Sequence, residues 1–369
     1  MKEKGARLFS LDALRGFDMC FIMGGEMVVL SIASLFPGES SSWLSSQMGH
    51  VAWNGFVFYD LVFPLFLFLA GVSFPFSFAK QCERGASRKA VTLKIVRRGL
   101  LLVLLGVFYN GLLQFDFDNL RYASVLGRIG LAWMFAALLY VWAGRKTVLS
   151  TAIALLLGYW ALLALFVAPD APEGAGSLSM EGSIVGYVDR LLLPGVLHSG
   201  VHDPEGLLST LPAIVTALAG MFTGEFVRSE CVKSGYKKVL VLFAVALVLL
   251  VVGYLWGNIL PLNKNLWTSS FVCVAAGWSL VLFSLFYLVI DVMGWWRWSF
   301  FFRVIGLNSI TIYLAQQFLD FHRPVSTLFG GVLGFLPESF SVLGYWCAYV
   351  AVCWLLLYFL YRNKIFLKV

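Results

Sequence analysis

An all-α, polytopic membrane bundle of about ten transmembrane helices is the fold this sequence predicts, and three observations predict it. Of 369 residues, 60% are hydrophobic and only 13% are charged, about half the charged share of a soluble domain. Mean hydropathy is +0.84. Apolar runs of roughly 20 residues, the length that crosses a bilayer, recur along the chain.

Taken in order, the runs fall at 9–35, 56–79, 95–113, 123–143, 147–168, 207–227, 239–256, 267–290, 304–320 and 342–361. The third, seventh and ninth are short enough to be tilted or re-entrant. With no internal repeat and no low-complexity linker, residues 1–369 form a single transmembrane domain. Orientation follows from Lys and Arg placement. With the N-terminus inside, the inner segments hold 21 of the 27 basic residues against four acids. The outer loops hold Arg121, Arg190, Lys264 and Arg323 against eleven acids. Both termini are therefore expected in the cytoplasm. The net charge of +7 reports this topology and not a nucleic-acid surface, so no nucleic acid is expected as partner.

The first run is not a cleaved leader, because Asp12, Arg15, Asp18 and Glu26 interrupt it. Cys20, Cys273, Cys347 and Cys353 fall within spans and Cys82 and Cys231 in inner loops, so no disulfide framework is implied. Metal-ligand spacings, the nucleophile-elbow pattern and the P-loop are absent, and no metal is expected.

Ionisable groups inside spans are costly and mark functional sites by default. Asp12, Asp18, Glu26, Asp60, Glu225, Arg15 and Arg128 are placed that way. On a straight helix rising about 1.5 Å per residue, Glu26 lies about 16 Å beyond Arg15. The outer half then collects Glu26, His50, Asp60 and Arg128, joined by the loops His202-Asp203-Pro204-Glu205-Gly206 and Asn263-Lys264-Asn265. The inner half collects Asp12, Arg15, Arg97, Arg98, Arg297, Arg303 and the pair Asn308-Ser309. A pocket between the two clusters would hold a long ligand with its anionic end inward. Plainer explanations compete. Asp12 and Arg15 sit at i, i+3 and can neutralise each other; Arg97 and Arg98 suit ordinary inner-face anchors; Asp60 suits a helix cap; Glu225 reaches Arg228; His198 and His322 have no metal-ligand pattern; and an interfacial histidine such as His50 is more often structural.

The block His50-Val-Ala-Trp-Asn-Gly-Phe-Val-Phe-Tyr-Asp-Leu-Val-Phe-Pro64 resembles the signature of the heparan-alpha-glucosaminide N-acetyltransferase family of membrane acetyltransferases. Further blocks follow in the family's order: Leu11-Asp-Ala-Leu-Arg-Gly16, Val125-Leu-Gly-Arg-Ile-Gly130, Asp203-Pro-Glu-Gly206, Asn263-Lys-Asn-Leu-Trp267 and Gly306-Leu-Asn-Ser309. The resemblance implies that acetyl-CoA enters as co-substrate from the cytoplasm and that its acetyl group passes to a glucosamine-type amine on the outer face. The expected localisation is a bacterial inner membrane, and a homodimer is compatible with it. The family's catalytic histidine matches His50. Glu26 stands where lysosomal members carry an active-site asparagine.

On this basis His50, Glu26, Asn54 and Arg128 are the catalytic candidates. His50 would take the amine proton, histidine being the side chain whose ordinary pKa lies nearest neutrality, and Arg128 or Asn54 would stabilise the oxyanion. Asp60, Asp203, Glu205, Asn263 and Lys264 are the candidate sugar contacts, and Arg15, Arg303, Asn308 and Ser309 the candidate CoA contacts. An amino-sugar transporter, an O-acetyltransferase of an envelope polysaccharide and a purely structural membrane protein remain as alternatives.

Overall fold

The computed structural model describes residues 8–36 and 38–367. Lys2, Lys4, Arg7 and Lys368, which enter the charge asymmetry, lie outside the described residues. Fourteen helices follow in order: α1 Phe9–Ser34, α2 Glu39–Gln47, α3 Phe58–Glu83, α4 Arg88–Tyr109, α5 Val125–Trp142, α6 Arg145–Leu165, α7 Ile184–Leu192, α8 Thr210–Arg228, α9 Gly235–Gly257, α10 Ser269–Val292, α11 Phe300–Leu307, α12 Ser309–Phe318, α13 His322–Leu333 and α14 Glu338–Arg362. Among the described residues β-structure is limited to two isolated bridges, Arg121–Gly195 and Val167–Ser183. The chain is an all-α, multi-pass membrane protein.

Among the described residues eight helices are long and apolar enough to span: α1, α3, α5, α6, α8, α9, α10 and α14. This differs from ten runs for two physical reasons. Helix α4 has the length, at 22 residues, but Arg88, Lys89, Lys94, Arg97 and Arg98 fill its first half. The ninth run breaks at Asn308 (φ −128°, ψ 31°) into α11 and α12, of 8 and 10 residues, each too short to cross alone.

The packing order follows from side-chain size. Helices α3 and α8 form the centre, with 72% of their apolar windows buried, whereas α6, α9 and α14 are 22% buried and turn Leu149, Ile153, Leu240 and Leu247 outward. Where lipid tails are as apolar as leucine, close backbone approach between small residues holds helices together. A Cβ on Gly220 or Gly224 would collide with the carbonyl oxygen of Phe68 or Val72 of α3. The same device joins α1 to α11, where a Cβ on Gly306 would strike the Asp12 carbonyl.

Helix α1 is not straight, so a straight-helix rise does not fix where the Glu26 side chain points. A π-type turn spans Phe21–Gly25, with Gly24 at φ 107°, a conformation glycine adopts without a Cβ penalty. The bend redirects Glu26 toward α3. At the other end of α1, Ser10 N–H donates to Asp291 Oδ2 at 3.1 Å, tying its first turn to the end of α10.

Candidate functional site

The site grows from the loop that joins α2 to α3. Gly55 N–H donates to the Leu262 carbonyl at 2.8 Å, Asn263 Nδ2 donates to Asn54 Oδ1 at 3.1 Å, and Trp53 Nε1 donates to the Leu178 carbonyl at 2.7 Å. Three distant segments are thereby gathered at one end of the bundle, with His50 half-exposed among them.

His50 Nδ1 lies 2.8 Å from Asp60 Oδ1, and the carboxylate is fully buried. The other oxygen, Oδ2, accepts from Val57 N–H at 3.3 Å at the start of α3. Asp60 thus caps the helix and holds the histidine at once; the capping reading was sound but incomplete. Against an ionised carboxylate, which only accepts, the ring proton sits on Nδ1 and the lone pair on Nε2. Lys264 Nζ lies 3.4 Å from Asp60 Oδ1 and 3.4 Å from His50 Nε2, both of which can accept from it; its 3.1 Å approach to the protonated Nδ1 is a close contact between donors. Burial pulls the Lys264 ammonium below the usual lysine range, with Asp60 and Glu205 opposing that shift.

His50, Lys264 and Glu205 line a cavity of about 210 Å³ together with Tyr59, Val62, Phe66, Ile129, Met19, Ser309 and Tyr313. Ser309 is the one inner-block candidate on its wall. Glu26 reaches the cavity indirectly: its carboxylate lies near enough to the Tyr59 hydroxyl to act on it electrostatically, and the Tyr59 ring packs on His50 at 4.9 Å between centroids.

The other candidates separate by position. Arg128 is buried, donates to Ser209 Oγ and to the Gly206 carbonyl (3.3 Å), and lies 5.0 Å over the Trp267 ring. It sits one layer behind the cavity wall, as does Asn54, whose oxygen is held by Asn263. Asn263 shapes its own loop, accepting from Leu266 N–H at 2.8 Å. Asp203 is buried and takes two hydrogen bonds from Arg121, at 2.8 and 2.7 Å; despite burial, that guanidinium holds its carboxyl below the usual range. Glu205 shares the same guanidinium. Beside them, burial raises Asp189 to about 7 and lowers His202 to about 4.

Among the candidate CoA contacts, Ser309 lines the cavity, and Met19, one turn beyond Arg15, does too. Arg15 lies 4.0 Å from Asp12, the i, i+3 pair foreseen. Asn308 turns its amide to the Ile365 carbonyl at 3.3 Å. Arg303 covers the Phe9 ring at 4.0 Å and has a buried Nη1 without a hydrogen-bond partner. Arg98, a plain anchor in the sequence, lies over Trp133 at 4.5 Å, keeps a partnerless Nε and feels the charge of Arg15. Sequence reasoning left out Tyr59 and read Asp60 as a cap or a sugar contact, without its bond to His50. The signal was available: an acid in the first turn of the helix that follows the His50 loop. Among the described residues no group of three or more metal-ligating side chains occurs.

Residues 7–117 match a family model described as "Domain of unknown function (DUF5009)". Curated relatives include the heparan-alpha-glucosaminide N-acetyltransferase of Mus musculus, 29% identical over 87% of this chain and 56% of that protein. The Homo sapiens protein of the same name is 29% identical over 98% of this chain and 60% of its own length. The chain therefore spans less than two thirds of the curated relatives it matches. Over most of its own length, this multi-pass membrane protein is similar to heparan-alpha-glucosaminide N-acetyltransferases, as its ordered motif blocks imply.

Proposed function

We propose that the chain is an acetyl-CoA-dependent N-acetyltransferase acting on the amine of a glucosamine-type sugar at the His50 end, which the charge asymmetry assigns to the outer, periplasmic face. The observation that carries this is the His50–Asp60 pair, 2.8 Å apart, with His50 on the wall of a cavity that Ser309 also lines. The co-substrate supplies an activated thioester, whose carbonyl carbon accepts the amine lone pair as the C–S bond breaks. His50 Nε2 takes the proton that the amine loses and returns it to the departing sulfur, so the imidazole ends as it began. Asp60 fixes the tautomer and steadies the imidazolium, the part an acid plays behind any histidine base. Lys264, on the cavity wall, is better placed than Arg128 or Asn54 to meet developing negative charge on the carbonyl oxygen.

Off the cavity wall, among the inner-block residues, a second donor set fits an anion. Arg98 and Arg303 each keep a buried N–H without a partner, and Arg15 and Arg98 stand near enough to repel. These groups would hold the phosphates of CoA, with Ser309 beside the arm that reaches toward His50. Purified protein incubated with labelled acetyl-CoA and a panel of amino sugars tests the proposal. Label on the sugar nitrogen supports it. Label on a hydroxyl would make the chain an O-acetyltransferase. Sugar flux into proteoliposomes without CoA, and no transfer, would make it a transporter.

A further inference from the structure

Asp189 takes no part in the proposed chemistry, yet it is fully buried on α7, a helix too short to span the membrane. Its Oδ1 accepts from Leu207 N–H at 2.8 Å, while Oδ2 is buried without a hydrogen-bond partner. Gly206 lies so close to this carboxyl that a Cβ there would overlap Oδ2. The same glycine offers its carbonyl to Arg128 Nη2 at 3.3 Å and to Thr210 Oγ1 at 2.9 Å. The turn 203–207 is thus gripped by α7 and α5 at Gly206 and Leu207, directly after Glu205, which lines the His50 cavity.

Arg128 of α5, Tyr159 of α6, Asp203 of the preceding loop and Arg190 of α7 itself face the Asp189 carboxyl, and His202 reaches Gly186, one turn earlier on α7. Arg190 is matched by Asp170 at 2.7 Å. Asp203 and Glu205 share Arg121, so Arg121 and Arg128 together balance those two acids. Burial holds His202 neutral, lowered to about 4. A charge on Asp189 would therefore be a third anion against two cations, and burial accordingly raises the group to about 7. Once ionised, Oδ2 is a buried charge without a donor, which is costly. The donors left over nearby are Arg128 Nε and Nη1, both buried without a partner. Gly206 touches both side chains, so bringing them together moves the turn.

We propose that Asp189 is a positioning residue for the transfer reaction: uncharged, it clamps turn 203–207 so that Glu205 stands on the cavity wall, and on losing its proton it draws Arg128 and releases the turn. The proton goes to solvent water and no covalent bond other than O–H changes. The kinetic consequence rests on the acetyl-transfer proposal, whereas the clamp itself is read without turnover.

The full chain in detergent is tested by amide hydrogen exchange and by acetyl transfer to glucosamine, each at pH 6 and pH 8. Exchange across residues 203–211, corrected for its intrinsic pH dependence, should be faster at pH 8 in the wild type and unchanged with pH in Asp189→Asn, whose amide oxygen still accepts from Leu207 N–H. The ratio of kcat/KM per folded protein, Asp189→Asn over wild type, should rise ~10-fold from pH 6 to pH 8, because a group at about 7 passes from mostly protonated to mostly ionised over that interval. Taking the ratio cancels the titration of His50 and of the sugar amine. The change should fall on KM for glucosamine and leave KM for acetyl-CoA in place. Asp189→Ala, which leaves Leu207 N–H without its acceptor, should lose turnover at both pH values, and Asp189→Asn should restore it. A flat ratio, exchange that quickens equally in wild type and Asp189→Asn, or an alanine variant as active as the asparagine one overturns the inference. Exchange that follows the expected pattern with no acetyl transfer to glucosamine or any other amino sugar would instead overturn the acetyltransferase proposal and leave the clamp standing.

Discussion

Replacing Asp60 by asparagine separates the two tasks of one side chain. In the native protein Oδ2 accepts from Val57 N–H and Oδ1 faces His50 Nδ1. An amide fills the same volume but has only one oxygen. The Val57 N–H demands an acceptor, so the amide oxygen goes to the cap and the NH2 group turns to the ring. Lys264 prefers the opposite orientation, but it is the flexible partner and keeps Glu205 within electrostatic reach. With NH2 toward it, Nδ1 must accept, the ring proton moves to Nε2, and the base loses its lone pair on the cavity side. Misplacing the tautomer of a carboxylate-held histidine costs roughly 10³–10⁴ in turnover, or about 4–5.5 kcal/mol of transition-state stabilisation. Asparagine is as good a helix cap as aspartate, so any loss to the fold comes from the Lys264–Asp60 ion pair. Turnover with labelled acetyl-CoA, measured per folded protein beside a thermal melt, reads the two effects apart. Asp60→Asn should lose far more turnover than folded protein and be nearly inactive. Activity above about a tenth of wild type would refute the orienting role, as would a loss no larger than the loss of folded protein.

Other expected outcomes follow from the same geometry. His50→Ala should abolish transfer, by roughly 10²–10⁴-fold, with its melting temperature and CoA binding retained; residual turnover above about a tenth would exclude an essential base. Glu26→Gln and Tyr59→Phe should depress turnover alike, and the double variant should be little worse than either, because Tyr59 stands between Glu26 and His50; additive losses would break that chain. Burial holds the folded Asp189 carboxyl at about 7, above its unfolded value. The stability this group confers is full below about 3.8 and is lost as pH climbs from there to about 7, levelling off above, so Asp189→Asn should raise the melting temperature at pH 8 more than at pH 6. His202 works in the opposite sense: its lowered value makes the unfolded chain the better proton binder between about 4 and 6.5, and stability from that group falls as pH drops through this window. Cysteines introduced at Ser42 and Leu262 should label from outside intact cells and those at Ser87 and Ser234 should not; outside labelling at Ser87 would invert the orientation.

The sequence by itself determined the fold class, because a chain with so few charges and such long apolar runs can bury its backbone polar groups only as membrane helices. It also determined the blocks from which the site is built, since His50, Glu205, Lys264 and Ser309 were all singled out and all line one cavity. What it left open is how those blocks meet. Periodicity sees a straight first helix, whereas Gly24 bends it and carries Glu26 to Tyr59. A hydropathy run cannot register the break at Asn308, because an irregular residue buried within the bundle leaves the apolar count unchanged. Asp60 reads as a cap or a sugar contact until the loop bonds of Gly55 and Asn54 fold His50 back onto it. Arg128 and Asp203, conspicuous for their charge, find buried partners away from the cavity wall, whereas Tyr59 stands on that wall. Charge and spacing are local properties of a chain. Which acid holds the histidine, and which cations remain free for a ligand, depend on contacts between residues tens to hundreds of positions apart, and only the tertiary structure decides those.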